Sequence, residues 1–229
     1  RCVQETDKYE ENYTKLVVYL REGVKWSDGV PFTADDVVFT YNMLLENVPK
    51  LVHSAEVADI VKDVVKIDDY TVEFNLKRTN PRFHYTWAFP TITLWGGLPI
   101  VPKHIWEGKD PLTFKNNPPI FTGPFELVSS SETSCIWKRR DDWWATEVFG
   151  IRPAFEYGMW VYYGPEEMSA MKMSIHELDA IHDFLPSTFW DIKKKNPYVG
   201  TWSDEPPYAY VSALCDRYLA LNNMKYPWN

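Results

Sequence analysis

The sequence predicts an α/β fold of the mixed α+β kind. Residues 13–77 show a strand pattern, then a helix pattern, then a hairpin pattern, which is typical of an α+β unit. After residue 124, strand patterns alternate with helix patterns, which is typical of an α/β layer. Residues 80–121, between these two parts, are rich in proline and aromatic residues and predict irregular structure. The chain is long enough for one large domain or two small ones.

The first part begins with an alternating strand at residues 13–20. Ser27-Asp28-Gly29 then predicts a turn. Thr33 predicts a helix N-cap, because Asp36 follows at the reciprocal position of a capping box. Pro49 is expected to end this helix. Its apolar stripe comprises Val37, Tyr41, Leu44 and Val48.

A hairpin is predicted next, with strands at residues 61–68 and 70–77. A short helix follows at 102–107. The run NNPPIFTGP, residues 116–124, is the best candidate for a domain boundary, because proline and glycine interrupt any regular element. We therefore predict two domains, at residues 1–118 and 119–229.

The second part is predicted to contain both strands and helices. In chain order, we expect a hairpin at 124–130 and 134–140, a strand at 155–163, a helix from 166 with Met168, Met171 and Ile175 at helical spacing, a strand ending at Pro186, a helix at 187–195, a strand near 198–203, and two strands within 208–222.

Composition excludes several classes of function. The net charge is −8 and the basic residues are dispersed, so nucleic acid is not an expected partner. No run of about 18 apolar residues is present, so no transmembrane helix is predicted. Aromatic residues make up 16% of the chain, and they either fill a core or stack on a ligand. The three cysteines lack metal spacing; a Cys135–Cys215 bridge or free thiols are both open.

Catalytic chemistry has one candidate position. Asp141 and Asp142 precede two tryptophans, so a secreted carbohydrate-active enzyme using these carboxylates is the alternative hypothesis. Adjacent carboxylates point in different directions, however, and a turn after a hairpin explains them equally well. The five histidines show no HxxxH or HExxH spacing, and no nucleotide-binding or nucleophile motif occurs. The sequence therefore argues against an enzyme, a metal site and a cofactor.

One stretch carries a specific resemblance. Residues 20–47, LREGVKWSDGVPFTADDVVFTYNMLLEN, closely resemble the signature of the family 5 extracellular solute-binding proteins, the oligopeptide-, dipeptide- and nickel-binding class of ABC importers. The matching residues are Leu20, Arg21, Gly23, Val24, Trp26, Asp28, Gly29, Pro31, Thr33, Ala34, Asp36 and Val37. In that family the segment is structural, so its residues are expected to serve the fold and not the pocket.

Weaker similarities follow in the family's order. Thr122-Gly123-Pro124-Phe125 resembles a G-T-G-P-[FY] segment, and Glu177-Leu178-Asp179 resembles G-E-[IL]-D. Residues 218–222, followed by Pro227, resemble the strand and proline that precede the C-terminal lobe. Members are roughly twice as long as this chain. The resemblance therefore implies an internal fragment, with an accessory domain (1–118) and part of the first ligand lobe (119–229).

The resemblance also implies a function. Family members are not enzymes; they capture a solute, here a peptide or an oligosaccharide, outside the membrane and deliver it to an ABC permease. It implies a periplasmic-binding-protein-like class II fold, a periplasmic or extracellular location, and membrane association only through the permease or a lipid anchor outside this fragment. Two lobes of such proteins close on the ligand by a hinge. Alone, these 229 residues are expected not to bind solute measurably.

Four residues are predicted to contact the ligand. Trp95 lies in TLWGGLP, where two glycines allow close approach of the backbone to a ligand. Asp183 and Phe184 follow the strand of the Glu177-Leu178-Asp179 motif, and ligands of the family lie against loops at strand ends. Asn222 lies, by resemblance, near a hinge crossing.

Overall fold

The structure is a computed structural model that describes residues 8–86, 88–90, 97–181 and 185–201. Strands and helices alternate along these ranges, as the mixed α/β class requires. The elements are β1 (Lys8–Glu10), β2 (Lys15–Tyr19), α1 (Ala34–Glu46), α2 (Ser54–Ile60), β3 (Val61–Asp68), β4 (Thr71–Leu76), a 3₁₀ turn (Phe83–Tyr85), α3 (Lys103–Trp106), β5 (Phe125–Ser130), β6 (Ser134–Arg139), α4 (Trp144–Phe149), β7 (Tyr157–Val161), α5 (Glu166–Ser174) and α6 (Pro186–Lys195). In these ranges, no helix has the length and apolarity needed to cross a bilayer.

The first sheet is four-stranded and antiparallel, in the order β1-β2-β4-β3. Leu16 pairs with Phe74 and Val18 pairs with Val72, and all four side chains are buried. Alternate residues of a strand point to opposite faces, so this register places the apolar residues of β2 and β4 on one face. The predicted first strand and hairpin are confirmed. β1 was not predicted, because three mostly polar residues carry no alternation.

Helix α1 packs against β3 and β4. Val37, Tyr41 and Leu44 are buried, and the Tyr41 ring meets the Phe74 ring edge-on at 5.0 Å between centroids. The predicted capping box at Thr33 is present. The helix ends at Glu46, however, so Val48 lies beyond it and is 39% exposed, outside the predicted stripe.

The second sheet contains the predicted hairpin β5–β6 and the strand β7, in the order β5-β6-β7. Residues 141–142 form a turn, as predicted. The turn leads into α4, which was not predicted. Trp144 and Ala145 of α4 are buried with the core residues of the first sheet. The helix ends at Gly150, whose φ of +65° lies in the left-handed region that favours glycine at this position.

The chain divides into two compact units, Arg1–Trp160 and Val161–Asn229. Inside the first unit, residues on both sides of position 118 are in contact. The Phe121 amide donates to the Ser27 hydroxyl at 3.2 Å, and the Arg21 guanidinium lies 4.5 Å from the Phe149 ring centre. The predicted domain border, between residues 118 and 119, lies between the two sheets in the sequence. That the chain forms two domains with this border stays a prediction.

The second unit contains α5 and α6, which pack together. Met173 and Ile192 are buried, and the Asn196 amide donates to the Met173 carbonyl at 3.0 Å near the end of α5. The spaced apolar residues predicted this helix correctly, but Met168, Met171 and Ile175 are all exposed. Residues 178–181 and 198–201 are not strands. The other residues of those predicted strands, and 208–222, lie outside the described residues.

Candidate functional site

The four predicted ligand-contacting residues, Trp95, Asp183, Phe184 and Asn222, lie outside the described residues, and so does Cys215. The structure does describe the signature segment, the T-G-P-F segment and the two candidate carboxylates. In each of these three regions, the hydrogen bonds and the burial of the side chains show whether the residues hold the fold together or could contact a ligand.

The Asp36 carboxylate joins three parts of the chain. Its Oδ2 accepts hydrogen bonds from the Thr33 amide at 2.9 Å and from the Trp26 indole at 3.2 Å, and its Oδ1 accepts one from the Lys103 amide at 2.8 Å. The side chain is nearly fully buried. Because a buried carboxylate without donors is costly, these three bonds fix the turn, the start of α1 and the start of α3 to one another.

Two further inward-facing residues of α1, Thr40 and Tyr41, also make polar contacts. The Thr40 hydroxyl donates to the Asp36 carbonyl at 2.7 Å and accepts from the Val101 amide at 3.0 Å. The Tyr41 hydroxyl donates to the Ala88 carbonyl at 2.7 Å, and burial raises the pKa of Tyr41 well above its ordinary value. Ala88 and Val101 are therefore both attached to α1. Sequence reasoning missed these contacts and those of Asp36. The signal in the sequence was Asp36 itself, because a carboxylate can accept more hydrogen bonds than a capping box uses.

The turn of the signature segment is attached to α3 by a second contact. His104 Nε2 and Asp28 Oδ2 lie 2.7 Å apart. Burial by itself would raise the pKa of Asp28, but the hydrogen bonds from His104 and from the Val30 amide outweigh it and hold the pKa below its usual value. The residues of the signature thus act on the fold, as the resemblance implied.

The T-G-P-F segment is held by a tryptophan pair and an arginine. The Thr122 carbonyl accepts the indole N–H of Trp143 at 3.0 Å and that of Trp144 at 2.9 Å. Arg140, which is 6% exposed, donates its guanidinium to the Gly123 carbonyl at 3.2 Å. Trp144 is buried and Trp143 is partly buried, and the N–H groups of both bond to the fold, so these contacts give no support to the hypothesis that the pair stacks on a sugar.

The two candidate catalytic carboxylates are each paired with an arginine. Asp141 contacts Arg152 at 2.5 Å, and Asp142 contacts Arg140 at 3.1 and 3.2 Å. Both carboxylates are largely exposed, at 78% and 73%. A glycosidase needs two carboxyl groups that face a shared cleft, and these ion pairs in a turn do not supply that arrangement. In the described part of the chain, no group of His, Cys, Asp and Glu side chains could hold a metal ion.

Comparisons with known proteins agree with the signature. The family described as bacterial extracellular solute-binding proteins, family 5 middle, matches residues 4–229. The probable peptide-binding protein YejA of Agrobacterium fabrum is 31% identical over 151 residues, 61% of this chain and 22% of the relative. The periplasmic alpha-galactoside-binding protein of Rhizobium meliloti is 40% identical over 106 residues, 45% of this chain and 15% of the relative.

A solved structure shows the same fold. The periplasmic oligopeptide-binding protein of an oligopeptide ABC transporter from Thermotoga maritima, crystallised with bound mannohexaose, superposes with a TM-score of 0.77 at 29% identity. The match covers 91% of this chain and 37% of that protein. This chain therefore spans well under half the length of the proteins it matches. With its matched family profile, its signature scaffold and this shared fold, the chain belongs to the family 5 bacterial extracellular solute-binding proteins.

Proposed function

We propose that this chain is part of the non-enzymatic binding component of an ABC importer, which captures a peptide in the periplasm or outside the cell and passes it to a membrane permease. The observation that carries the proposal is the family match over residues 4–229 together with the buried scaffold of its signature. A peptide is the favoured ligand because YejA, the relative described above, is named as a probable peptide-binding protein.

An oligosaccharide is the second candidate ligand. Two comparisons favour it: the mannohexaose bound to the Thermotoga maritima protein, and the name of the Rhizobium meliloti relative. The 11 tryptophans are compatible with sugar stacking, although Trp144 is buried in the core.

We assign ligand contact to Trp95, Asp183, Phe184 and Asn222. The attachment of Ala88 and Val101 to α1 supports the choice of Trp95, because the chain on either side of residues 91–96 is held by a buried helix. Ligand loops of this kind need rigid support at their ends.

The test uses the complete protein encoded by the reading frame of this chain. Calorimetric titration with a peptide library, mannohexaose and an α-galactoside identifies the ligand class. Trp95→Ala and Phe184→Ala should each weaken binding by about tenfold or more, since buried aromatic contacts dominate such sites. Unchanged affinity in both variants would remove these residues from the site, and absence of binding to any of these ligands would contradict the proposed function.

A further inference from the structure

A groove of about 310 Å³ lies in the first unit. It is lined by residues of α1 and by residues between positions 106 and 111. The α1 residues Phe39, Asn42, Met43 and Glu46 recur at spacings of three and four, so they lie on one face of the helix. The groove is at the lower end of the size range of small-molecule sites.

The groove combines apolar surface with charge of both signs. Phe39, Met43 and Trp106 supply flat or flexible apolar surface, and Met adapts to varied ligand shapes. Glu46 and Lys109 line the same groove and are both exposed. Over the ranges that the structure describes, neither of these two side chains forms an ion pair, whereas Lys103 and Glu107 nearby pair with each other.

Trp106 adds an unsatisfied polar atom. Its indole Nε1 is buried and has no hydrogen-bond partner in the described part of the chain. The ring packs edge-on against Phe114, with centroids 5.0 Å apart. A buried donor without an acceptor is costly, and such an atom beside a groove is a common sign that a ligand or water supplies the acceptor.

We propose that this groove binds a zwitterionic dipeptide with an apolar side chain. The ligand ammonium pairs with Glu46, its carboxylate pairs with Lys109, and its side chain packs against Phe39 and Met43. The ligand also contacts the ring of Trp106, which lines the groove. Opposite charges, both unpaired, favour a zwitterion over a neutral sugar. Because the charges are exposed, the affinity is in the millimolar range.

The test follows the Trp106 indole signal of the 229-residue chain by ¹H–¹⁵N NMR, with the signal assigned from a Trp106→Phe variant. Alanyl-leucine with free termini should shift this signal in a saturable way. The same dipeptide with acetylated and amidated ends should bind at least about tenfold more weakly, because it lacks both charges. Glu46→Gln and Lys109→Gln should each weaken binding of the free dipeptide by roughly the same factor.

Matched controls separate local from general charge effects. Lys115→Gln and Glu132→Gln change exposed charges outside the groove and should leave binding unchanged. The exchange Glu46→Lys with Lys109→Glu should restore binding, because a zwitterion can reverse its direction. The proposal would be overturned if the Trp106 signal did not shift, or if the blocked dipeptide bound as tightly as the free one. It would also be overturned if mannohexaose caused the shift instead, or if the charge exchange did not restore binding.

The result of this dipeptide test does not depend on whether the proposed solute capture is correct. In the complete protein, Glu46→Gln and Lys109→Gln should leave the affinity for the transported solute unchanged, since that ligand is assigned to other residues. A loss of solute affinity in these variants would place the groove in the transport site and overturn its assignment as a separate site.

Discussion

At the scale of single residues, the polar side chains of the signature segment make hydrogen bonds that hold the fold. Asp36 accepts three bonds, Thr40 both donates and accepts, and Asp28 accepts from a histidine and an amide. All of these hydrogen bonds run to other groups of the fold. The segment therefore identifies the family through its structural role.

The Thr33 cap is expected to contribute stability and not affinity. Thr33→Ala removes the acceptor for the Asp35 amide and should cost about 0.5–2 kcal/mol of unfolding free energy in urea denaturation. Thr133→Ala, in the exposed turn between β5 and β6, is the matched control and should change little. A folded Thr33→Ala protein that loses solute binding with unchanged stability would contradict the structural role.

Asp28 should make stability depend on pH. Its pKa is lowered in the folded state, so its contribution is present above the unfolded value of about 3.9 and is lost as pH falls through the lower folded value. Asp28→Asn should flatten the acid limb of a plot of unfolding free energy against pH. Glu132→Gln, an exposed carboxylate, should leave that limb unchanged. An unaltered acid limb in Asp28→Asn would show that the carboxylate is not coupled to folding.

At the scale of elements, α1 is the part to which the surrounding chain is attached. Its apolar face covers the first sheet, while its buried polar groups hold Ala88, Val101 and Lys103. A helix packed on a sheet is rigid, so the irregular segment between β4 and α3 gains fixed points that its own backbone does not provide. This arrangement explains why a polar residue such as Asp36 is buried in α1.

Asp36→Asn tests this attachment. The asparagine amide places a donor where one of the three N–H groups needs an acceptor, so unfolding free energy should fall by about 1–3 kcal/mol or more. The Lys103 amide should exchange hydrogen faster. Asp35→Asn, next in sequence but half exposed, loses only ion pairs with lysines and should cost less than about 1 kcal/mol. Equal effects of the two substitutions would contradict a special role for Asp36.

At the scale of the whole molecule, apolar side chains are exposed around β7. Phe155, Tyr157, Met159 and Trp160 are each more than half exposed. Met159 and Trp160 are consecutive residues of a strand and point to opposite faces, so apolar side chains are exposed on both faces of β7. Exposed apolar surface of this kind usually marks a place where another element or chain packs.

We expect the 229-residue chain to associate with itself, or to bind a hydrophobic dye, through this surface. Met159→Ser with Trp160→Ser should reduce both signals in sedimentation and fluorescence experiments. Val52→Ser is the control, because Val52 is 77% exposed but lies in a different part of the chain. A monomer at all concentrations with no dye binding would contradict this expectation.

Solute capture should require more than this chain. The chain alone is expected to show no binding of an oligosaccharide or long peptide, while the complete protein binds one of them, because enclosing a ligand needs two lobes. Micromolar binding by the 229 residues alone, measured by calorimetry, would overturn the view that they form only part of the enclosing surface.

Sequence alone determined those elements whose physics is local. The alternation in β2 and β4, the Ser27-Asp28-Gly29 turn and the capping box of α1 depend on residues a few positions apart, and all are present. The family also follows from sequence, because a motif of that length is highly specific. The composition of α4 and β1 carries no such periodic signal, so neither was predicted.

Tertiary structure decided which of the singled-out side chains are structural. Trp143 and Trp144 could have stacked on a sugar, and Asp141 and Asp142 could have faced a cleft. The bonds to Thr122, Arg140 and Arg152 assign them instead to the fold. In α5, Met168 and Met171 are exposed while Met173 is buried, because the position of α6 decides which face is buried. Thr122 lies 21 and 22 residues from the two tryptophans, and Arg152 lies 11 residues from Asp141, so local sequence does not reveal these contacts. The pair of Asp142 with Arg140 is local, but the sequence does not show which partner the carboxylate takes.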